Sequence, residues 1–415
     1  MKKKHTVENI VQRPIKAIQF GDGAFARSVF GRILTSANED GANANCIIIT
    51  DKQLEKKQQV FASSSLVLSG LRSQDTVKID CVSSVLDPYT NFDAFSALAD
   101  SKDIDTVFWA PEDASWLLSD GKLKNEKQNP LGMLLMLLFR RHCLEMRGFT
   151  IVSALPYDFN GDKLKQDIIE LASLRQLGMD FVNWLNFENM FVNSFADCRV
   201  GNAVLTDSGL NIPSEKYLLF VVDKENSLLA SSSLVAQVDS IKEYYALNTF
   251  VKQGALTASC AYALLHDVKT LDSFISKERL AKHMTVSVFE EIIPALDVNF
   301  ETMQVFALDM FKRFENSAVP FYWEKYSENL GEKFALSIAP ILRHYYNNDR
   351  PAPKHLVFGL FCTIQFYKNF EPNDKFAKLF AQSTDVLADK ALWNCDLSFL
   401  KKEMESFEKR FNRGE

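Results

Sequence analysis

Gly21-Asp22-Gly23-Ala24-Phe25-Ala26 is the stretch of this chain whose residue types and spacing best suit chemistry. It follows the apolar run Ile15–Phe20 and opens a longer amphipathic run, so a strand, a tight turn and a helix start are expected. In such a turn Gly21 permits the bend, Gly23 lets main chain approach a pyrophosphate, and Ala26 keeps helix and strand close. Ala24 and Phe25 begin the helix, whose positive end faces the anion. Arg27, one turn in, could reach a phosphate oxygen. Asp51 follows the second apolar run, Cys46–Thr50, where an acid would accept bonds from the adenosine ribose hydroxyls and repel a 2′-phosphate. NAD is therefore expected over NADP. The polar insertion Asn38-Glu39-Asp40-Gly41 accounts for the long spacing between Gly23 and Asp51. The alternatives are a glycine turn that serves only packing and a solvated turn acid at position 51.

The elements that must hold these residues follow from length and pattern. A chain of 415 residues exceeds one compact core, so two domains are expected. From Pro14 to about Val222, short apolar runs alternate with amphipathic ones, the pattern of a mostly parallel sheet covered by helices. The expected strands are Ile15–Phe20, Cys46–Thr50, Val77–Val82, Thr106–Trp109, Thr150–Ser153 and Tyr217–Val222. Helices are expected to start at Asn91 and Asn160. After the polar turn Asp223–Ser227 strand signals vanish and amphipathic stretches such as Phe289–Leu296, Met303–Phe314 and Phe334–Tyr346 succeed one another. The fold class is thus α/β, with a Rossmann-like domain over residues 1–230 and a mainly α-helical domain over 231–415.

Composition excludes several classes. A net charge of -6 argues against a nucleic-acid surface, and the Met1–His5 basic start reads as a solvated tail with no signal-peptide stretch behind it. The longest apolar block, Met133–Phe139, is far short of a bilayer span, so no membrane segment is expected. Seven scattered cysteines without close pairing suggest neither disulfides nor zinc, and a reducing cytoplasm fits. His266, His283 and His344 are isolated and read as packing or surface residues, so no metal site is expected.

Five stretches carry a family resemblance: QFGDGAFARSVF at Gln19–Phe30, NGDKLKQDIIELA at Asn160–Ala172, ENMFVNSFADCRV at Glu188–Val200, FEEIIPALD at Phe289–Asp297 and RFENSAVPF at Arg313–Phe321. With them the chain resembles the mannitol dehydrogenase family of long-chain polyol and sugar-acid dehydrogenases, most nearly its tagaturonate reductase (altronate oxidoreductase) branch. The resemblance implies a Rossmann-like domain, a helical second domain, a site in the cleft between them, and metal-independent hydride transfer between NAD(H) and a sugar-acid or polyol carbon.

The resemblance also implies which residues should do the chemistry, and there the chain departs. The family's YxxxKxxxxNGxHT-like helix uses lysine as general base, with Asn and His binding the reacting oxygen. With Tyr244 as the pattern's Tyr, the lysine position holds Asn248, the asparagine position Gln253 and the histidine position Leu256. Pro156 stands at another oxyanion-binding Asn, and Phe321 where a His usually lies near the substrate. The nicotinamide loop reads Ala110-Pro111-Glu112-Asp113-Ala114-Ser115, and Ala24 replaces a frequent Asn. Gln253 can still hydrogen-bond. If the segment is a regular helix, Lys252 shares a face with Asn248 and Leu256 and could supply the proton. Two outcomes follow: an NAD-dependent oxidoreductase acting on a small keto-sugar acid or polyol, or an inactive nucleotide-binding pseudoenzyme acting through a protein partner. A third is that dinucleotide binding has itself been lost.

Overall fold

The computed structural model describes residues 11–51, 64–112, 129–206, 209–370 and 372–413. Its contacts divide the chain into one unit through Ile241 and a second from Lys242, whereas pattern alone put the change near residue 230.

The first unit is built on six parallel strands. These are β1 (Ile15–Phe20), β2 (Asn45–Ile49), β5 (Val82–Leu86), β6 (Thr106–Trp109), β7 (Thr150–Ser153) and β8 (Met190–Val192), in spatial order β5-β2-β1-β6-β7-β8. Order reverses between β1 and β6, and in such sheets ligands bind beyond the carboxyl ends of the strands at that point. β2 and β6 are buried throughout, because helices cover both faces. One layer is α1 (Ala24–Glu39), with Val29, Phe30 and Ile33 against Ile48, Phe108 and Val152. The opposite layer includes α2 (Phe92–Ala97) and α3 (Pro130–Cys143), with Leu131, Leu134 and Leu138 against Ile18, Val107 and Ile151.

Smaller sheets complete this unit. β3 (Ser64–Ser69), β4 (Gln74–Ile79), β10 (Val204–Thr206) and β11 (Gly209–Glu215) form one. β9 (Ser194–Asp197), β12 (Leu219–Val222) and β13 (Val235–Gln237) form the other. The single expected strand Val77–Val82 is therefore two. The chain leaves the four-stranded sheet after Ile79 and enters the parallel sheet at Val82. Arg13 holds the crossing by pairing with Asp80 at 3.2 Å. Strand structure also persists beyond Ser227, because β13 is completed by pairing with β12, which three residues cannot signal alone.

The helix α4 (Asn160–Leu174) starts without a cap of its own, since Phe159 adopts a left-handed conformation and makes no capping bond. The cap comes from across the fold: Asn193 Oδ1 accepts from the N–H groups of Gly161 at 2.9 Å and Asp162 at 3.0 Å. Asn193 Nδ2 donates to Asp162 and, at 2.8 Å, to Asp223. Buried Asn160 donates to the carbonyls of Leu155 and Ser194, and accepts from Ser194 N–H at 3.0 Å. A Cβ on Gly161 would collide with the Val192 carbonyl, so this close approach requires glycine. Two of the family-like stretches are thus a buried clamp. Asn193→Ala would orphan two helix donors and is expected to cost about 2 kcal/mol. Urea unfolding monitored by circular dichroism measures it, and a loss under about 0.5 kcal/mol would show that water replaces the cap.

The second unit is mainly helical. Its core is the helix Gln253–Leu265, packed against the helices Lys354–Phe370 and Leu330–Ser337. No described helix is long and apolar enough to cross a membrane.

Candidate functional site

The turn after β1 has the conformation its glycines imply. Gly21 sits at φ 102°, and a Cβ there would drive into the carbonyl of Ala110 at the end of β6. The ends of β1 and β6 meet at this point, with Ala110 N–H donating to Phe20 O at 3.0 Å. Gly23 is the N-cap of α1 with extended backbone, no side-chain cap bond is made, and no acid occupies the first turn. The first N–H groups of α1 therefore face a region where an anion is favoured. Ala24 and Phe25 are half-buried, while Ala26 is 1% exposed, as close helix-to-sheet packing demands.

Arg27, which could reach a phosphate oxygen, lies packed against the glycine turn. It is 3% exposed, its Nε donates to the Asp22 carbonyl at 2.7 Å, and burial lowers its pKa from the usual guanidinium value. Its hydrogen bond ties the first turn of α1 to the glycine turn. Asp51 follows β2 as expected and is 7% exposed, so it is no solvated turn acid. Its Oδ2 accepts from the Glu112 N–H at 2.6 Å, and its carbonyl accepts from Tyr89 Oη at 2.9 Å.

Glu112 is a residue sequence reasoning passed over. Its carboxylate lies on Gly23, where any Cβ would strike Oε1, Cδ and Cγ. Nothing in the spacing Ala110-Pro111-Glu112 signals this. The remainder of the altered nicotinamide loop, Asp113-Ala114-Ser115, lies outside the described residues, as does the basic start Met1–His5.

The second unit contains the segment that should carry the proton. Leu247–Lys252 is a π-helical turn, closed by Gln253 N–H on the Asn248 carbonyl, five residues back. The wider turn alters the angular offset between Asn248 and Lys252 from that of a regular α-helix, and Lys252 to Leu256 keeps the regular spacing. Single-turn π segments are frequent at functional sites. Leu256 is 2% exposed and belongs to the core, whereas Asn248, Lys252 and Gln253 are half-buried.

Gln253 is held by a residue that no spacing indicated. Tyr326 Oη donates to Gln253 Oε1 at 2.7 Å and lies 3.0 Å from Thr257 Oγ1. Burial raises the Tyr326 pKa above the ordinary phenol value, so the group is a neutral donor. That bond turns the donor end of the amide, Nε2, away from the phenol. Lys333 packs its Nζ 4.6 Å from the Tyr326 ring centroid and donates to the Tyr326 carbonyl at 2.7 Å. Burial lowers its pKa. Phe321 packs on the rings of Trp323 and Tyr326, each at 5.3 Å, making that edge of the cluster apolar. His283, elsewhere in this unit, is buried with Nε2 3.2 Å from the Ala258 carbonyl.

Sheet order, glycine turn and following acid define the class: a dinucleotide-type Rossmann unit joined to a helical unit. The family model of the mannitol dehydrogenase Rossmann domain matches residues 15–234. The chain belongs to the mannitol dehydrogenase family. It is 23% identical over 445 residues to the altronate oxidoreductase of Bacillus subtilis (strain 168), covering 96% of this chain and 92% of the relative. With the altronate oxidoreductase of Halalkalibacterium halodurans it shares 26% over 401 residues, 88% of this chain and 77% of the relative. Among solved structures it is similar to a D-sorbitol dehydrogenase in substrate-free form, with TM-score 0.81 and 15% identity over 95% of this chain and 93% of that one. It is also similar to the Pseudomonas fluorescens mannitol 2-dehydrogenase in ternary complex with NAD and D-mannitol, with TM-score 0.75 and 13% identity over 96% and 92% of the two chains. At these identities the structural likeness speaks to the fold.

Proposed function

We propose that this protein is an NAD(H)-dependent oxidoreductase acting on a keto-sugar acid or a polyol. The observation that carries the reading is the glycine turn at the reversal point of the sheet, with the positive end of α1 behind it. The absence of a Cβ at Gly21 and Gly23 is what a main-chain approach to a diphosphate requires. Gly21, Gly23, Ala24 and Phe25 would hold that diphosphate, Arg27 would stiffen the turn, and Asp51 would take the adenosine ribose. A bound NAD(H) would supply hydride chemistry at the substrate carbon. The names of the relatives, altronate oxidoreductase and mannitol 2-dehydrogenase, support a substrate among sugar acids and polyols.

The chain must supply a proton and a donor for the developing alkoxide. Lys252 is the candidate for the proton, as an ammonium in the π turn beside the position where the family keeps its lysine. Gln253, oriented by Tyr326, is the candidate donor through Nε2. Asn248 lines the same turn as a polar, non-titrating group. On this reading Lys252→Ala reduces NADH oxidation with tagaturonate, fructuronate or fructose at least 100-fold while NADH fluorescence titration is unchanged. Unaltered turnover in Lys252→Ala removes the lysine from the mechanism.

A second reading rests on a specific observation. Buried Leu256 and non-titrating Asn248 stand where the family places imidazole and amine, which suits a nucleotide-binding protein without turnover that acts through a protein partner. Binding of NADH with no oxidation of it by any of the three substrates over a long incubation would favour this reading over the first.

A further inference from the structure

We infer that Glu112 is an intramolecular plug of the dinucleotide site, holding the nucleotide-free protein in a closed, low-affinity state. The inference rests on the nucleotide-site reading above and adds its regulation. Two contacts converge on this residue, and a third steadies the acid it meets. Its carboxylate lies on Gly23, in the space that the missing Cβ leaves open and that a diphosphate would need. Its N–H donates to Asp51 Oδ2 at 2.6 Å, and Asp51 is the acid expected to receive the ribose hydroxyls. Tyr89 Oη, 2.9 Å from the Asp51 carbonyl, holds that acid in place from the other side. Glu112 thus touches the phosphate half of the site through its side-chain carboxylate and the ribose half through its main-chain N–H.

The chemistry explains why a glutamate serves. The positive end of α1 attracts an anion, and its first turn contains no acid of its own. The Glu112 carboxylate supplies the missing negative charge, as a built-in mimic of the phosphate. It excludes the ligand sterically, since both need the space over Gly23, and by like charge. Glu112 itself remains exposed, so it can swing out without uncovering core. Binding therefore requires displacement of the carboxylate from the space over Gly23. A ligand that binds only the open form has its affinity reduced by the fraction of molecules that are open.

The test is NADH titration by fluorescence, with calorimetry as a second readout, on the full-length protein and three variants. Glu112→Ala removes bulk and charge and is expected to bind NADH about tenfold or more tightly than wild type. Glu112→Gln keeps bulk and removes charge, and should fall between the two. Gly23→Ala combined with Glu112→Ala puts a methyl group into the phosphate space and should cancel the gain, which locates the tighter binding at this turn. Gly23 has φ -69° and ψ 165°, which alanine adopts without strain, so the double variant is expected to fold. Equal affinity in wild type and both Glu112 variants overturns the plug while leaving the nucleotide site intact. Weaker binding in Glu112→Ala overturns it by making Glu112 a ligand-binding group. No detectable NADH binding in any variant overturns the plug and the nucleotide reading together.

Discussion

Gly21→Val is expected to destabilise the first unit by more than about 3 kcal/mol and to abolish NADH binding. Two costs combine. At φ 102° an L side chain is strained, and a β-branched one more so than alanine. The Cβ would also enter the Ala110 carbonyl and come within 3.2 Å of Pro111 N, and both are backbone atoms anchored by β6 rather than a flexible side chain. Relief requires β1 and β6 to part at the point where Phe20 and Ala110 are hydrogen-bonded. Chemical denaturation gives the stability loss and fluorescence titration the binding loss. Gly21→Ala should show the same sign with smaller size. A valine variant as stable as wild type would mean that the close approach of the two strands is not what makes this position glycine.

Acidification from about pH 6.5 to about pH 4 is expected to remove about 3 kcal/mol of stability from the second unit through His283 alone. The imidazole is 5% exposed, and burial pushes its pKa down from 6.5 to about 4. The rings of Tyr262 at 5.2 Å, Phe358 at 5.6 Å and His355 at 5.6 Å surround it and leave little to solvate a cation. Because the folded pKa lies below the unfolded one, the unfolded chain binds more protons between these two values. The stabilisation is therefore complete above pH 6.5 and lost as pH falls toward 4. Carboxylates contribute their own slope at the acid end, so the measurement is a difference. Urea midpoints of wild type and His283→Gln should converge as pH falls through this window, even though the variant starts less stable from lost packing. Parallel pH profiles would show that His283 titrates alike in both states.

The legible part of this protein is the part written in local pattern. Ile15–Phe20 and Thr106–Trp109 are strands because short, mainly apolar runs of four to six residues bounded by turns suit burial in a parallel sheet. Asn91 caps a helix, accepting from Ala94 N–H, because its side chain can reach that donor within one turn. The strand near Val77 was read as one because its residues are equally apolar on either side of Asp80; only the pairing partners, β3 on one side and β2 on the other, divide it. The π turn at Leu247–Lys252 was illegible for a similar reason, since no residue in it forbids an α-helix.

The candidate site divides along the same line. Gly21, Gly23 and Asp51 are indicated by their places after two apolar strands, and Asn248 and Gln253 only by the resemblance to the family's helix pattern. Glu112 and Tyr326 were not, because Glu112 reaches Asp51 across 61 residues of chain and Tyr326 reaches Gln253 across 73. By itself the amino-acid sequence determined the architecture and the glycine turn, which depend on periodicity and short-range steric rules, and the family, through the resemblance of five stretches. Tertiary structure alone decided that Arg27 turns back onto the Asp22 carbonyl, that Asn193 caps α4, that Gln253 answers to Tyr326, and that Glu112 lies over Gly23. The last three of these contacts depend on where distant backbones converge, and contact energies between side chains leave no trace in the local pattern that sets each backbone's course; the first is local, but the choice of rotamer is set by the packing around it.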